Sequence, residues 1–161
     1  MAESRPVRQP TPEKVVVPAP PDLGSLAEIG PVEEVDGADL AVVRVEPMEA
    51  SARAAWERVL DSDAELPWAA PVLVDEEGHE QLPTGQVSVR FHNAPSDEEL
   101  AAFAERHGLV LQGRNEYVPA QAVFTPADLR GTYLPELSER LAAAPEVAAA
   151  WITTLSQYRR V

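Results

Sequence analysis

The chain has 161 residues, no cysteine, and 27 acidic side chains against 13 basic ones, for a net charge of -14. That charge opposes binding to nucleic acid or an anionic membrane, which rests on Lys and Arg neutralising phosphates. The lack of cysteine removes disulfides, thiolate metal sites and thiol nucleophiles. The length suits one ordinary domain or two very small ones, and 45% hydrophobic residues suffice for a core.

The opening segment, MAESRPVRQPTPEK, has no apolar stretch of the kind a signal peptide needs, and no apolar run in the chain approaches a membrane span. A cytoplasmic location is expected. Seven of the 16 prolines fall in the first 31 residues, without helical or strand period. Residues 1–37 therefore read as a disordered, Pro-rich arm, with Val15-Val16-Val17 as the one run able to pair as a strand.

Folded structure is expected from Asp39. Residues 40–46 alternate as a strand. Pro47 sits where a helix would start, and Ala52, Ala55, Trp56, Val59 and Leu60 follow the i, i+3, i+4, i+7, i+8 pattern of an amphipathic helix ending near Asp61. A short strand bracketed by Pro67 and Pro71 runs to Val74. Asp75-Glu76-Glu77-Gly78 is a turn, and residues 80–85 lead out of it. Residues 86–92 (QVSVRFH) alternate with Val87, Val89 and Phe91 on one face. Ser96 and Glu99 form a capping box, and Leu100, Phe103, Ala104 and His107 make the buried stripe of a helix stopped by Gly108. A strand over 109–112, a turn over 113–116 and a strand over 119–125 follow. A second helix carries Leu134, Leu137, Leu141 and Ala144 on one face and ends at Pro145. A last strand covers 147–152, and 153–161 is a polar tail. The pairs Val43-Arg44-Val45 with Val89-Arg90-Phe91, and Trp56 with Phe103, give a weak internal similarity between the two βα openings.

Catalytic signals are missing. His79, His92 and His107 share no metal-ligand spacing, and His79 lies in an acidic turn whose solvated reading outweighs a metal one. There is no GxSxG, P-loop or GxGxxG motif, and the carboxylates Asp97, Glu98 and Glu99 suit a helix N-terminus. No enzyme activity and no cofactor or metal are expected.

The order from Gln86 is β-α-β-β-α-β, the ferredoxin-like arrangement of an antiparallel sheet with two helices on one face. The expected fold class is α+β. A β-α-β lead-in subdomain (38–85) follows the disordered arm (1–37) and precedes the ferredoxin-like domain (86–152) and a C-terminal tail (153–161).

Within 86–152, Val87, Val89, Arg90, Phe91, Ser96, Glu98, Glu99, Leu100, Gly108, Leu137, Leu141, Pro145, Glu146 and Val147 carry a pattern that resembles the propeptide domains of subtilisin-like serine proteases. The stretch from Ala70 to Thr84 resembles the lead-in of larger bacterial members. The resemblance implies a folding chaperone and inhibitor whose sheet packs on the protease while the chain after the last strand lies in its active-site cleft. Here those cleft residues would be Leu155, Ser156, Gln157, Tyr158, Arg159, Arg160 and Val161, binding by strand addition. Trp151, Ile152 and Thr153 stand where the family often has acidic residues. With no protease domain and no export signal in the chain, the implied partner is an intracellular subtilisin-like protease, bound in trans. The alternative is an interaction or scaffold module in a multiprotein assembly, using the sheet face as interface and the N-terminal arm as tether.

Overall fold

The computed structural model describes residues 8–18, 24–35 and 39–155. The fold is α+β, with eight strands in a mostly antiparallel sheet, three helices of nine to eleven residues and one isolated helical turn. Among the described residues no helix is long and apolar enough to cross a membrane. The chain divides into two compact units, residues 1–83 with 154–161, and residues 84–153.

The first unit begins with strand β1 (Gln9–Pro18), followed by the turn α1 (Gly24–Ala27), β2 (Val32–Val35), β3 (Leu40–Arg44), helix α2 (Ala52–Ser62) and β4 (Ala70–Val74). Its strands lie in the order β2-β3-β1-β4. This corrects the expectation of a disordered arm over 1–37. β1 runs antiparallel between β3 and β4, with Val16 opposite Val42 on one side and Ala70 on the other. Val15, Val16 and Val17 are all fully buried, and three consecutive buried residues mean that both faces of the strand are covered. The prolines are accommodated because the ladder to β4 is interrupted between Pro10 and Val15, so Pro12 falls where no N–H is required. The remaining residues of the expected arm, 1–7, 19–23 and 36–37, lie outside the described residues.

Helix α2 keeps the expected stripe, with Ala52, Ala55, Trp56, Val59 and Leu60 buried. It starts at Ala52 rather than at Pro47, because the Ser51 hydroxyl accepts a bond from the Ala54 N–H and so supplies the N-cap. The Trp56 indole N–H donates to the Ala69 carbonyl at 2.8 Å, which satisfies the one polar atom that this large side chain brings into the core.

Strand β5 (Glu80–Phe91) is longer than the expected 86–92. Its first residues, Glu80 and Gln81, pair with Val74 and Leu73 of β4 in the first unit. Lys14, the only lysine, holds Glu80 at 2.8 Å. Gly85, at φ 92, takes a conformation that other residues avoid, so a strand containing Pro83 and Gly85 continues where a sequence pattern breaks.

In the second unit, the rest of β5 is followed by α3 (Asp97–His107), β6 (Leu109–Arg114), β7 (Gln121–Pro126), α4 (Leu134–Ala142) and β8 (Val147–Leu155), the last up to residue 153. β5 pairs with β7, β7 with β6, and β8 with β5. Helix α3 has the expected capping box, in which the Ser96 hydroxyl accepts from the Glu99 N–H and the Glu99 carboxylate accepts from the Ser96 N–H. Gly108 closes the helix in the left-handed region at φ 69. Phe103 is the centre of the core, 5.0 Å from Phe91 in an edge-to-face contact and 5.6 Å from Phe124. Leu134, Leu137 and Leu141 of α4 are buried with it, while His107 and Ala144 are only half-buried. β6 runs two residues past the expected end. A bulge between Leu111 and Gly113 lets the ladder resume at Gly113 and Arg114.

Candidate functional site

The second unit has two unlike faces. Val87, Val89 and Phe91 of β5 and Ala122 and Phe124 of β7 are buried, and α3 covers that side through Phe103. Side chains of opposite parity point the other way. Cross-strand neighbours on this second face include Ser88 with Val123 and Arg90 with Gln121, and Val110 of β6 lies opposite Thr125. Val123, Thr125 and Gln121 are half-buried, and Arg90 is exposed with its guanidinium donating to Gln121 Oε1 at 3.3 Å. Ser88, the one buried polar residue among those described, is satisfied by the Thr153 hydroxyl of β8 at 2.8 Å.

This face contains no carboxylate. Residues 84–153 carry nine acids, four in α3, two in α4 and three in connecting segments, and none in any strand. Within residues 84–153 the helices are acidic and the strands acid-free, in a chain with a net charge of -14. Depletion of acidic side chains with retention of Arg is one compositional feature that protein interfaces share.

Two other groups of polar residues have local explanations. Asp75, Glu77 and His79 bring their ligand-type atoms within 4.8 Å of one another in the β4–β5 turn. Asp75 Oδ1 is committed to closing that turn, accepting from the Glu77 and His79 N–H groups at 2.9 Å each. The His79 N–H bond, with that of Glu77 and the nearby imidazole, holds the Asp75 carboxyl below its ordinary pKa against the desolvation that opposes it. A cleft of about 440 Å³ lies between the end of β5, α3 and residues Pro145 and Glu146. Its charged groups are already engaged. Arg106 is paired with Glu146, and Glu99 belongs to the capping box.

His107 faces the core side of α3, its ring 4.5 Å from Phe103, with Nε2 buried and without a hydrogen-bond partner. Desolvation first, then the charges of Arg106 and Arg140, push its pKa below the ordinary value, and Glu146 opposes them. The unfolded imidazole takes up a proton near pH 6.5, while the folded one resists protonation until lower pH, so folding is progressively disfavoured as pH falls through that window. Urea unfolding midpoints should therefore drop below about pH 6.5, and His107→Gln should flatten that part of the profile. An unchanged profile in the variant would assign the slope to other groups.

Of the residues assigned to the binding tail, Leu155 is the last residue of β8 and half-buried. Ser156, Gln157, Tyr158, Arg159, Arg160 and Val161 lie outside the described residues. The residues of the acid-free face were not singled out by motif. The signal that could have found them is the placement of acids, since residues 81–96, 106–115, 117–127 and 147–161 contain none. Comparison with known proteins gives no match, whether to a protein-family model, a curated protein or a solved structure.

Proposed function

We propose that this chain is a non-catalytic, cytoplasmic binding protein that acts in trans on a subtilisin-like serine protease, as inhibitor or folding chaperone, in the manner of a protease propeptide. The observation that carries this reading is the acid-free sheet face of residues 84–153, set against acidic helices in the same unit. The strand pairings β8 with β5, β5 with β7 and β7 with β6 support a ferredoxin-like arrangement for this unit. A protein partner would seat its surface on Arg90, Gln121, Val123 and Thr125, and residues 155–161 would extend from β8 into the protease cleft as an added strand.

The test is capture and inhibition of a subtilisin-like protease by three purified forms: the full chain, a chain ending at Thr154, and Val123→Glu. Val123→Glu places a carboxylate at the centre of the face and should weaken binding by about 2 kcal/mol, roughly thirtyfold. Truncation should abolish inhibition while leaving residual capture through the face. If a non-protease partner binds the full and truncated chains equally and is lost with Val123→Glu, the face is the interface of an assembly module and the protease assignment fails. If Val123→Glu binds as tightly as the unaltered chain, the face is not the docking surface.

A further inference from the structure

Three of the four exposed large hydrophobic residues among those described, Val110 (49% exposed), Leu111 (41%) and Tyr117 (89%), fall on β6 and the turn that follows it. Among the described residues β6 pairs only with β7, so its outer edge is open. The Ala127 N–H donates to the Gly108 carbonyl at one end of the ladder, and the Asn115 N–H to the Gln121 carbonyl at the other. Inward-bonded residues alternate in an antiparallel pair, so Val110 bonds toward β7 while Leu109 and Leu111 present their N–H and C=O groups outward. Pro126 stands opposite Leu109, where no N–H is needed from β7.

From this edge we infer that the chain forms a two-fold homodimer by antiparallel pairing of β6 with β6 of a second copy, centred on Val110. In that register Leu109 of each copy exchanges two backbone hydrogen bonds with Leu111 of the other, and Val110 lies opposite Val110. Four hydrogen bonds form, and the exposed side chain of Leu111 is covered by the partner's strand. Two observations select a second copy as the occupant. The bulge between Leu111 and Gly113 limits the straight template to three residues. A long foreign strand would lose its register there, whereas a two-fold centred on Val110 needs only residues 109–111 of each copy, all before the bulge. Charge gives the second reason. Residues 106–115 hold no acid, so two strongly negative chains can approach along this edge without opposing carboxylates. Arg106 and Arg114, which flank the axis, already carry Glu146 and Asp97 as partners and leave no free cation to recruit an acidic segment. Residues 109–111 carry no Lys, Pro or inward-pointing charge, and the bulge of β6 begins only beyond them, so these three residues keep an unblunted edge.

The dimer is independent of the protease reading. The experiment is sedimentation equilibrium of the full chain across a concentration series, with three variants checked for folding by circular dichroism. Leu111→Pro removes an outward N–H, and Leu111→Lys places a charge at the seam. Each should raise the dimer dissociation constant by about tenfold or more. Arg90→Glu, on the sheet face away from the edge, should leave it unchanged. If Leu111→Pro does not fold, Leu111→Lys decides. A chain that stays monomeric throughout the series overturns the inference. So does a dimer indifferent to Leu111→Lys, or one lost with Arg90→Glu, which would move the interface to the face.

Discussion

Deleting residues 1–18 is expected to unfold the first unit. β1 is an inner strand, with Lys14 to Pro18 in register with Arg44 to Leu40 of β3 and its other edge bonded to β4. Removing it strips hydrogen-bond partners from two neighbouring strands at once and uncovers the apolar side of α2. Each of Val15, Val16 and Val17 is fully buried, and burial of one such side chain stabilises by roughly 1.5–3 kcal/mol. The three together approach the whole stability of a small unit, which is about 5–15 kcal/mol for an ordinary domain. Val16→Asp is the milder version. It forces an unpaired carboxylate into a site without water and should remove about 3–5 kcal/mol. The readout is intrinsic fluorescence, because Trp56 and Trp68 both lie buried in this unit. Their emission should shift to the red in the deletion, and the urea midpoint should fall in Val16→Asp. A deletion product with blue, native-like emission would mean that β1 is dispensable, and the disordered arm would be restored.

The elements legible in the sequence were those whose local chemistry agrees with their surroundings. α3 announces itself through Ser96, Glu99 and Gly108, each of which acts on its own backbone neighbourhood, and the capping box and left-handed stop are present as expected. α2 shows through its stripe, although its first residue is set by the Ser51 hydroxyl rather than by Pro47. β1 was legible only as a run, Val15-Val16-Val17, able to pair, because what makes it a strand is wholly tertiary. Its prolines speak for a tail, and only pairing on both edges makes Val15-Val16-Val17 an inner strand. The same holds for the start of β5, where Pro83 and Gly85 look like a break and the pairing of Glu80 and Gln81 with β4 overrides them. For the candidate site, alternation over 86–92 does give the two faces of β5. That Ser88, Val123 and Thr153 meet on one of them depends on the pairings with β7 and β8, which no local signal encodes.

Phe103→Ala should cost the second unit about 3–5 kcal/mol, the range for removing a large buried ring whose cavity collapses only in part. The loss is large because Phe103 touches Phe91 of β5 and Phe124 of β7, and thus joins α3 to two strands that hold the sheet face in register. Part of it, about 0.5–1.5 kcal/mol for each pair, is the ring geometry itself. The substitution carries a second consequence that a generic core defect would not. The first cause of the lowered His107 pKa is desolvation, and the Phe103 ring, 4.5 Å away, is one of the groups that keep water from the imidazole. Opening that space should hydrate Nε2 and raise the His107 pKa toward its ordinary range. The two effects are separable, stability by urea unfolding and the pKa by NMR titration of the His107 ring proton in the folded variant. A stability loss near 1 kcal/mol would mean that the core collapses to fill the gap. A full loss with an unmoved His107 would mean that backbone and neighbouring side chains, not the ring, exclude the water, and the pH dependence of this unit would then survive the loss of its central aromatic residue.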